Sequence, residues 1–185
     1  MNNQKYLALI ILLTPLLVIS LSTLTFYLGY KPTSSNNNGD LIIPQIDTED
    51  LRLLDVEGKT FSFTAGKWYL VHFDDFQNIT FSLDRYKLAT SLKLTLPRES
   101  HRLRRVVVYK DIELFERAAD LKDLFPEVIF LYDKNNLFEK RISTQLNNPY
   151  FSKSMFLIDS FSNVMEDFNL SLTFNEIFED LKVLL

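Results

Sequence analysis

The sequence predicts an α/β domain built on a mixed sheet and preceded by one transmembrane helix. Three observations lead there. Tyr6–Tyr30 is a 25-residue run without a charge, strand and helix patterns alternate from Trp68 to Asp133, and a hairpin followed by an amphipathic helix closes the chain. The 185 residues, 46% hydrophobic and 14% aromatic, suffice for one core of ordinary size plus a tail.

The uncharged run comes first. As a helix it would rise about 37 Å, enough to cross a hydrocarbon layer of roughly 30 Å with some tilt. Its fourteen Leu, Ile, Val and Phe residues contribute roughly −4 to −8 kcal/mol to insertion before the Ser, Thr and Pro15 penalties. A cleaved signal peptide would have a shorter apolar region and small residues at a cleavage site, which "LTFYLGYKP" does not offer. The backbone group freed by Pro15 is expected to find a local partner such as Thr14. Lys5 and Lys31 nearly balance across the span, so orientation is taken from the five-residue tail, too short to form a domain. The expected layout is a cytoplasmic tail (1–5), an anchor (6–30), a flexible linker (31–40, "KPTSSNNNGD") and an extracytoplasmic domain (41–185).

Within the domain, "LRLLDVEGKTFSF" predicts two short strands around the Glu57-Gly58 turn. "KWYLVHFDD" predicts a central strand apolar on both faces. Asn78 caps a helix whose expected inward stripe is Ile79, Leu83, Tyr86 and Thr90, ending before Pro97. Leu103–Tyr109 is a second buried strand, "DIELFERAADLKDLFP" one amphipathic helix, "VIFLYD" a third strand, and 135–148 a further helical candidate. "SMFLIDSFSNVMEDF" predicts a hairpin turning at 160–163, and Thr173 with Glu176 a capping box opening the last helix. Strand–helix–strand alternation demands parallel neighbours with right-handed crossovers, and the late hairpin adds an antiparallel edge. That order is the layout of the thioredoxin fold with an added N-terminal hairpin.

On "GKWYLVHF", "SLDRYKL", "RRVVVY" and "MFLIDSFSNVMEDF", in that order behind a single anchor, the chain resembles the Sco/SenC-like, membrane-anchored thioredoxin-fold proteins associated with cytochrome oxidase assembly. The resemblance implies copper or thiol chemistry at a Cys-x-x-x-Cys turn plus a distant His. Here the two cysteine positions fall at about Gln77 and Phe81, and the His near Phe151, beside Ser152, Lys153 and Ser154. None can supply a thiolate or an imidazole. The turn from Asp74 to Asn78 is therefore expected to be an active-site position with its ligands replaced.

Composition narrows the chemistry further. With no cysteine, disulfides, thiol catalysis and Cys-type zinc sites are excluded, and two histidines make an imidazole-rich metal site improbable. From Asp40 onward the chain holds all 24 acidic residues against 18 basic ones, a net of −6, which disfavours nucleic acid. His72, Asp74 and Asp75 lie at a strand end, with His72 and Asp74 on one side; they are weighed as a weak metal or general-base site against a solvated turn or cap. Phe73, Phe76 and Phe81 are expected to offer some exposed aromatic surface there, and with His72, Asp74, Asp75 and Gln77 form a candidate interaction surface. Arg98, Arg102, Arg104 and Arg105 form a candidate basic patch for anionic headgroups or an acidic partner. Met155 and Met165 read as core fillers, and the glycosylation patterns at Asn78 and Asn169 matter only in a eukaryotic secretory pathway.

What the resemblance implies, with its ligands missing, is a non-catalytic accessory protein without cofactor, anchored in a bacterial inner membrane with its domain in the periplasm, that contacts cytochrome oxidase subunits or assembly factors. The rival expectation is a hydrolase or weak metal-dependent enzyme using His72, Asp74 and Asp75.

Overall fold

The computed structural model describes residues 2–27, 37–96 and 101–185. They fall into two units, Met1–Asn36 and Asn37–Leu185.

In the first unit, helix α1 runs from Asn2 to Tyr27 and contains the stretch Gln4–Thr25, long and apolar enough to cross a membrane. Its hydroxyls are turned back onto its own backbone: Ser20 donates to the Leu16 carbonyl at 2.8 Å and Thr23 to that of Ile19 at 2.8 Å. Polar side chains that bond within the helix lower the cost of placing it in hydrocarbon. Thr14 Oγ1 donates to Ile10 O at 2.7 Å, one residue before the Ile11 carbonyl that Pro15 leaves without its usual donor. Residues 28–30 of the expected anchor and 31–36 of the expected linker lie outside the described residues.

The second unit is an eight-stranded sheet with helices on both faces. Its strands are β1 (Asp40–Asp47), β2 (Leu53–Leu54), β3 (Thr60–Phe61), β4 (Trp68–Phe73), β5 (Leu103–Tyr109), β6 (Val128–Tyr132), β7 (Met155–Ile158) and β8 (Asn163–Phe168), in the spatial order β1-β8-β7-β4-β5-β6-β2-β3. β4, β5 and β6 are parallel; the remaining pairings are antiparallel. Helices α2 (Ile79–Thr95) and α7 (Phe174–Leu184) cover one face with Leu92, Ile177 and Leu181 against Leu70, Leu103 and Leu157. Helix α5 (Leu137–Ile142) covers the other, setting Phe138 and Ile142 against Val71, Phe73, Val106 and Phe156. Every residue of β4 is buried, as a central strand covered on both faces requires.

Four expectations change. β1 lies where no element was expected; it carries Pro44 inside "LIIPQI" and tolerates it as an edge strand whose register shifts between Leu41 and Ile46. Residues 37–40, read as linker from their Asn and Gly content, are clasped to the domain. Asn38 N and Gly39 N each donate to Asp180 Oδ2 at 2.8 Å, and Asn37 Nδ2 to Glu166 Oε1 at 2.9 Å. A Cβ at Gly39 would stand 2.7 Å from the Phe168 ring, so glycine here serves close approach. The helix expected over 111–126 is two, α3 (Ile112–Arg117) and α4 (Ala119–Leu124), broken at Ala118. Phe115 and Leu121, six residues apart, would point to different sides of one straight helix, and the break turns both inward. Finally, α2 buries Ser82, Arg85, Tyr86 and Leu92, leaving Ile79 exposed. Of the expected stripe, Tyr86 is buried and Leu83 and Thr90 are half-buried, so its first residue alone stays outside.

Candidate functional site

The site is the C-terminal end of β4, the turn after it and the start of α2. Asn78 caps the helix, its side chain accepting from Phe81 N at 3.1 Å. Between strand and cap the chain must reverse, and Phe76 does so in the left-handed region at φ 54°. Asp74 holds that conformation, since its Oδ1 accepts from Phe76 N at 2.8 Å.

Asp74 and His72 do share a side, but the side faces α2 and is dry. They are 2% and 4% exposed. Asp74 Oδ2 accepts from the Tyr86 hydroxyl at 2.7 Å. Burial, reinforced by the Asp74 carboxylate, pushes the Tyr86 phenol far up, so it stays a donor. The His72 ring lies beside the rings of Phe81 and Tyr86, centroids 6.2 and 6.3 Å away, with Nδ1 3.4 Å from the Ser154 carbonyl and Nε2 buried. Burial holds its pKa down to about 4 against the opposing pull of Asp74, with Arg85 and Lys153 adding to the depression. The imidazole is neutral at ordinary pH.

Asp75 turns the other way. Its Oδ2 pairs with Lys153 Nζ at 2.8 Å and its Oδ1 accepts from Gln77 N at 3.2 Å. Burial would raise this carboxyl, but the bonds from Lys153 and Gln77 outweigh it and the net shift is downward. Lys153 sits in the left-handed region at φ 53°, between the short helix α6 (Pro149–Ser152) and β7, and its carbonyl accepts from Arg85 Nη2 at 3.3 Å. Burial lowers the Arg85 guanidinium to about 10.

The three residues of the enzymatic expectation therefore play separate parts. His72 is packed between rings, Asp74 closes the turn, and Asp75 is paired with Lys153. Among the described residues, no three His, Asp or Glu side chains are arranged to hold an ion. The alternative of a solvated carboxylate turn is also corrected, because Asp74 is buried. So is the exposed aromatic surface: Phe73 and Phe76 are buried, Phe76 packing against Tyr109 and Phe115, and Phe81 is half-buried. The hydrophobic core claims a ring wherever the left-handed turn can direct it inward. Gln77 remains exposed.

The basic patch disperses. Arg105 is buried, where its Nη2 reaches Glu127 Oε2 at 3.0 Å and its Nη1 donates to the Thr90 hydroxyl. Arg102 donates to the Leu185 carbonyl at 3.3 Å, Arg104 is exposed, and Arg98 lies outside the described residues. Adjacent positions on a strand point to opposite faces, so Arg104 and Arg105 cannot share a surface.

No family model and no curated protein sequence matches the chain. Solved structures do. A structure of BsSco, a member of the Sco family of cytochrome c oxidase assembly proteins, superposes with a TM-score of 0.57 at 16% identity, over 76% of this chain and 94% of that one. Arabidopsis thaliana ScoI with copper bound gives 0.54 at 14%, over 72% and 94%. An uncharacterized thioredoxin-like protein from Porphyromonas gingivalis gives 0.56 at 20%, over 72% and 88%. The fold is Sco-like and thioredoxin-like.

A Sco-like fold raises the question of copper, and the residues present do not fit it. Copper takes soft thiolate and imidazole donors. Gln77 offers an amide and Phe81 a phenyl ring. Phe151, at the expected histidine position, is an 86% exposed ring. The nearby imidazole, His72, has both nitrogens turned into the interior. Sequence reasoning missed the partners that complete the closure, Arg85, Tyr86 and Lys153. "SLDRYKL" contained the signal: Arg85 and Tyr86 stand two turns beyond the Asn78 cap on the face that returns over the strand end.

Proposed function

We propose that this chain is a non-catalytic, membrane-anchored accessory protein that works through protein–protein contacts and is linked to respiratory cytochrome oxidase assembly. The carrying observation is the self-pairing of the turn after β4, where Asp74 is taken by Tyr86 and Phe76 N, and Asp75 by Lys153. Groups satisfied by one another are positioned for shape, not for proton or ion transfer. The oxidase link is supported by the named role of the Sco relative in fold, and the anchored state by α1. In this reading the N-terminus is cytoplasmic and the domain periplasmic.

The test is affinity purification of the full chain from its native membrane, with a deletion strain assayed for oxidase assembly. The expected results are co-purified oxidase subunits or assembly factors, reduced oxidase in the deletion strain, and no stoichiometric copper on the protein after dialysis. Normal oxidase assembly in the deletion strain overturns the respiratory part. Tightly held copper overturns the non-catalytic part.

A further inference from the structure

The segment that leads into β1 lies over a buried acid. Asn38 N and Gly39 N each donate to Asp180 Oδ2 of α7 at 2.8 Å, Asn38 Nδ2 donates to the Glu176 carbonyl at 3.1 Å, and Asn37 Nδ2 donates to Glu166 Oε1 of β8 at 2.9 Å. A Cβ on Gly39 would stand 2.7 Å from the Phe168 ring and 2.9 Å from Glu166 Cγ, so the backbone here rests directly on the side chains of β8. Beneath it Glu166 is 0% exposed.

Glu166 is incompletely served by this cover. Its Oε1 has the Asn37 amide, whereas Oε2 is buried and receives no donor. The polar group it does meet is the Asp180 carboxyl. Two carboxyl groups in a dry place are held together by a proton between them, the neutral acid donating to the charged one.

No cation takes over that part. Asp40, at the start of β1, adds a third acid, with Asn169 Nδ2 at 3.4 Å from its Oδ2. Glu176 of α7 spends its carboxylate on Thr173, Asp167 points to the opposite face of β8, and Lys182 of α7 is exposed. Among the described residues, no Lys, Arg or His forms an ion pair with Glu166, Asp180 or Asp40. Burial, with Asp180 and Asp40 opposing the Asn37 bond, raises Glu166 from 4.5 to about 7. A group raised in this way stabilises the closed arrangement fully below 4.5, and the contribution is lost as pH rises through 7. The ionised acid then requires water, and the thinnest cover over it is the three residues ahead of the first β1 pair, Asp40 with Asp167.

We propose that residues 37–39 are a proton-operated latch, docked on β8 and α7 while Glu166 and Asp180 share a proton and lifted when that proton leaves, which lengthens the tether by three residues, about 10 Å of extended chain. The latch is separate from the turn after β4, so it stands whether or not the oxidase link does.

The test is nuclear magnetic resonance relaxation on the full chain in nanodiscs of neutral lipid. Backbone order parameters at Asn38 and Gly39 should be about 0.85 near pH 5.5 and fall below about 0.6 near pH 8.5, reversibly, while Leu70 and Val71 in β4 stay rigid. The midpoint should lie near 7. Glu166→Gln should stay docked at both pH values, because its amide is neutral and can donate to Asp180. Gly39→Ala should be lifted at both, because its Cβ has no room over Phe168. The proposal is overturned if wild type is equally ordered at the two pH values, if Glu166→Gln titrates as wild type does, or if Gly39→Ala remains docked near pH 5.5. It is overturned equally if β4 loses order in step with residues 37–39, which would be global unfolding, or if millimolar calcium restores order near pH 8.5, which would make a cation the occupant.

Discussion

The end of β4 and the β2-facing side of β6 lie two strands apart in one sheet and are closed by different means. At the first, where a Sco-like fold invites chemistry, each carboxylate has a partner within the chain and the imidazole is sealed in. At the second, where the element order promises nothing, β2 pairs once and the strand is closed by packing: Val128 N donates to Phe125 O at 3.0 Å, and Phe130 and Leu131 are buried. The difference teaches that one strand end can be closed by paired side chains and another by packing and a local backbone bond.

The sharpest way to break this comparison is to open the closed region. Asp74→Ala strands the Tyr86 hydroxyl and Phe76 N in a dry interior, and should cost about 3 kcal/mol, read as a fall of roughly 6–10 °C in Tm. Tyr86→Phe removes one partner only and should cost less than half as much. A loss below about 1 kcal/mol for Asp74→Ala would show that the turn is not held as described.

The next effect is a pH dependence that wild type conceals. His72, neutral when folded down to about pH 4 and protonating near 6.5 when unfolded, supplies stability that is present above 6.5 and lost as pH falls toward 4. Glu166 in β8 runs the other way. It is fully buried, and burial with the nearby Asp180 and Asp40 raises it to about 7 despite the Asn37 bond, so its stability is present below 4.5 and lost as pH rises through 7. Each contributes up to about 3 kcal/mol, with opposed slopes between about pH 4.5 and 6.5. Urea midpoints of wild type should therefore change little across that window. His72→Phe should become less stable as pH rises through it, and Glu166→Gln less stable as pH falls. Parallel curves for both variants would contradict the burial of one or the other.

The smallest effect is at Asp75. Its bridge to Lys153 is partly exposed, with about a quarter of each side chain open to solvent, so Asp75→Asn should cost no more than about 0.5–1 kcal/mol in an equilibrium melt, and less in high salt. A loss matching that of Asp74→Ala would erase the distinction between the buried and the peripheral half of the turn.

How far the sequence reveals this depends on what encodes each feature. The central strands, the Asn78 cap, the Thr173–Glu176 capping box and the final hairpin were legible because a local pattern specifies each of them. β1 was hidden by Pro44, whose meaning depends on whether the strand lies at an edge. The 37–40 clasp was hidden because Asp180 and Glu166 are more than 125 residues away in the chain. At the site, the residues were named correctly but their exposure was not. Alternation puts His72 and Asp74 on one side, yet only packing tells whether that side meets water or Tyr86. The β6 edge was invisible for the same reason, since β2 gives no sign of how few residues of its neighbour it will cover.

Pro44 carries one more consequence. At the far border of the sheet, β1 presents a residue that cannot donate, a shifted register, and Asp40 and Asp47 at its two ends. Head-to-tail growth of sheet upon sheet needs two receptive borders on every molecule, and here one is interrupted by Pro44 while the other, β3, is two residues long, so the sheet does not seed a filament.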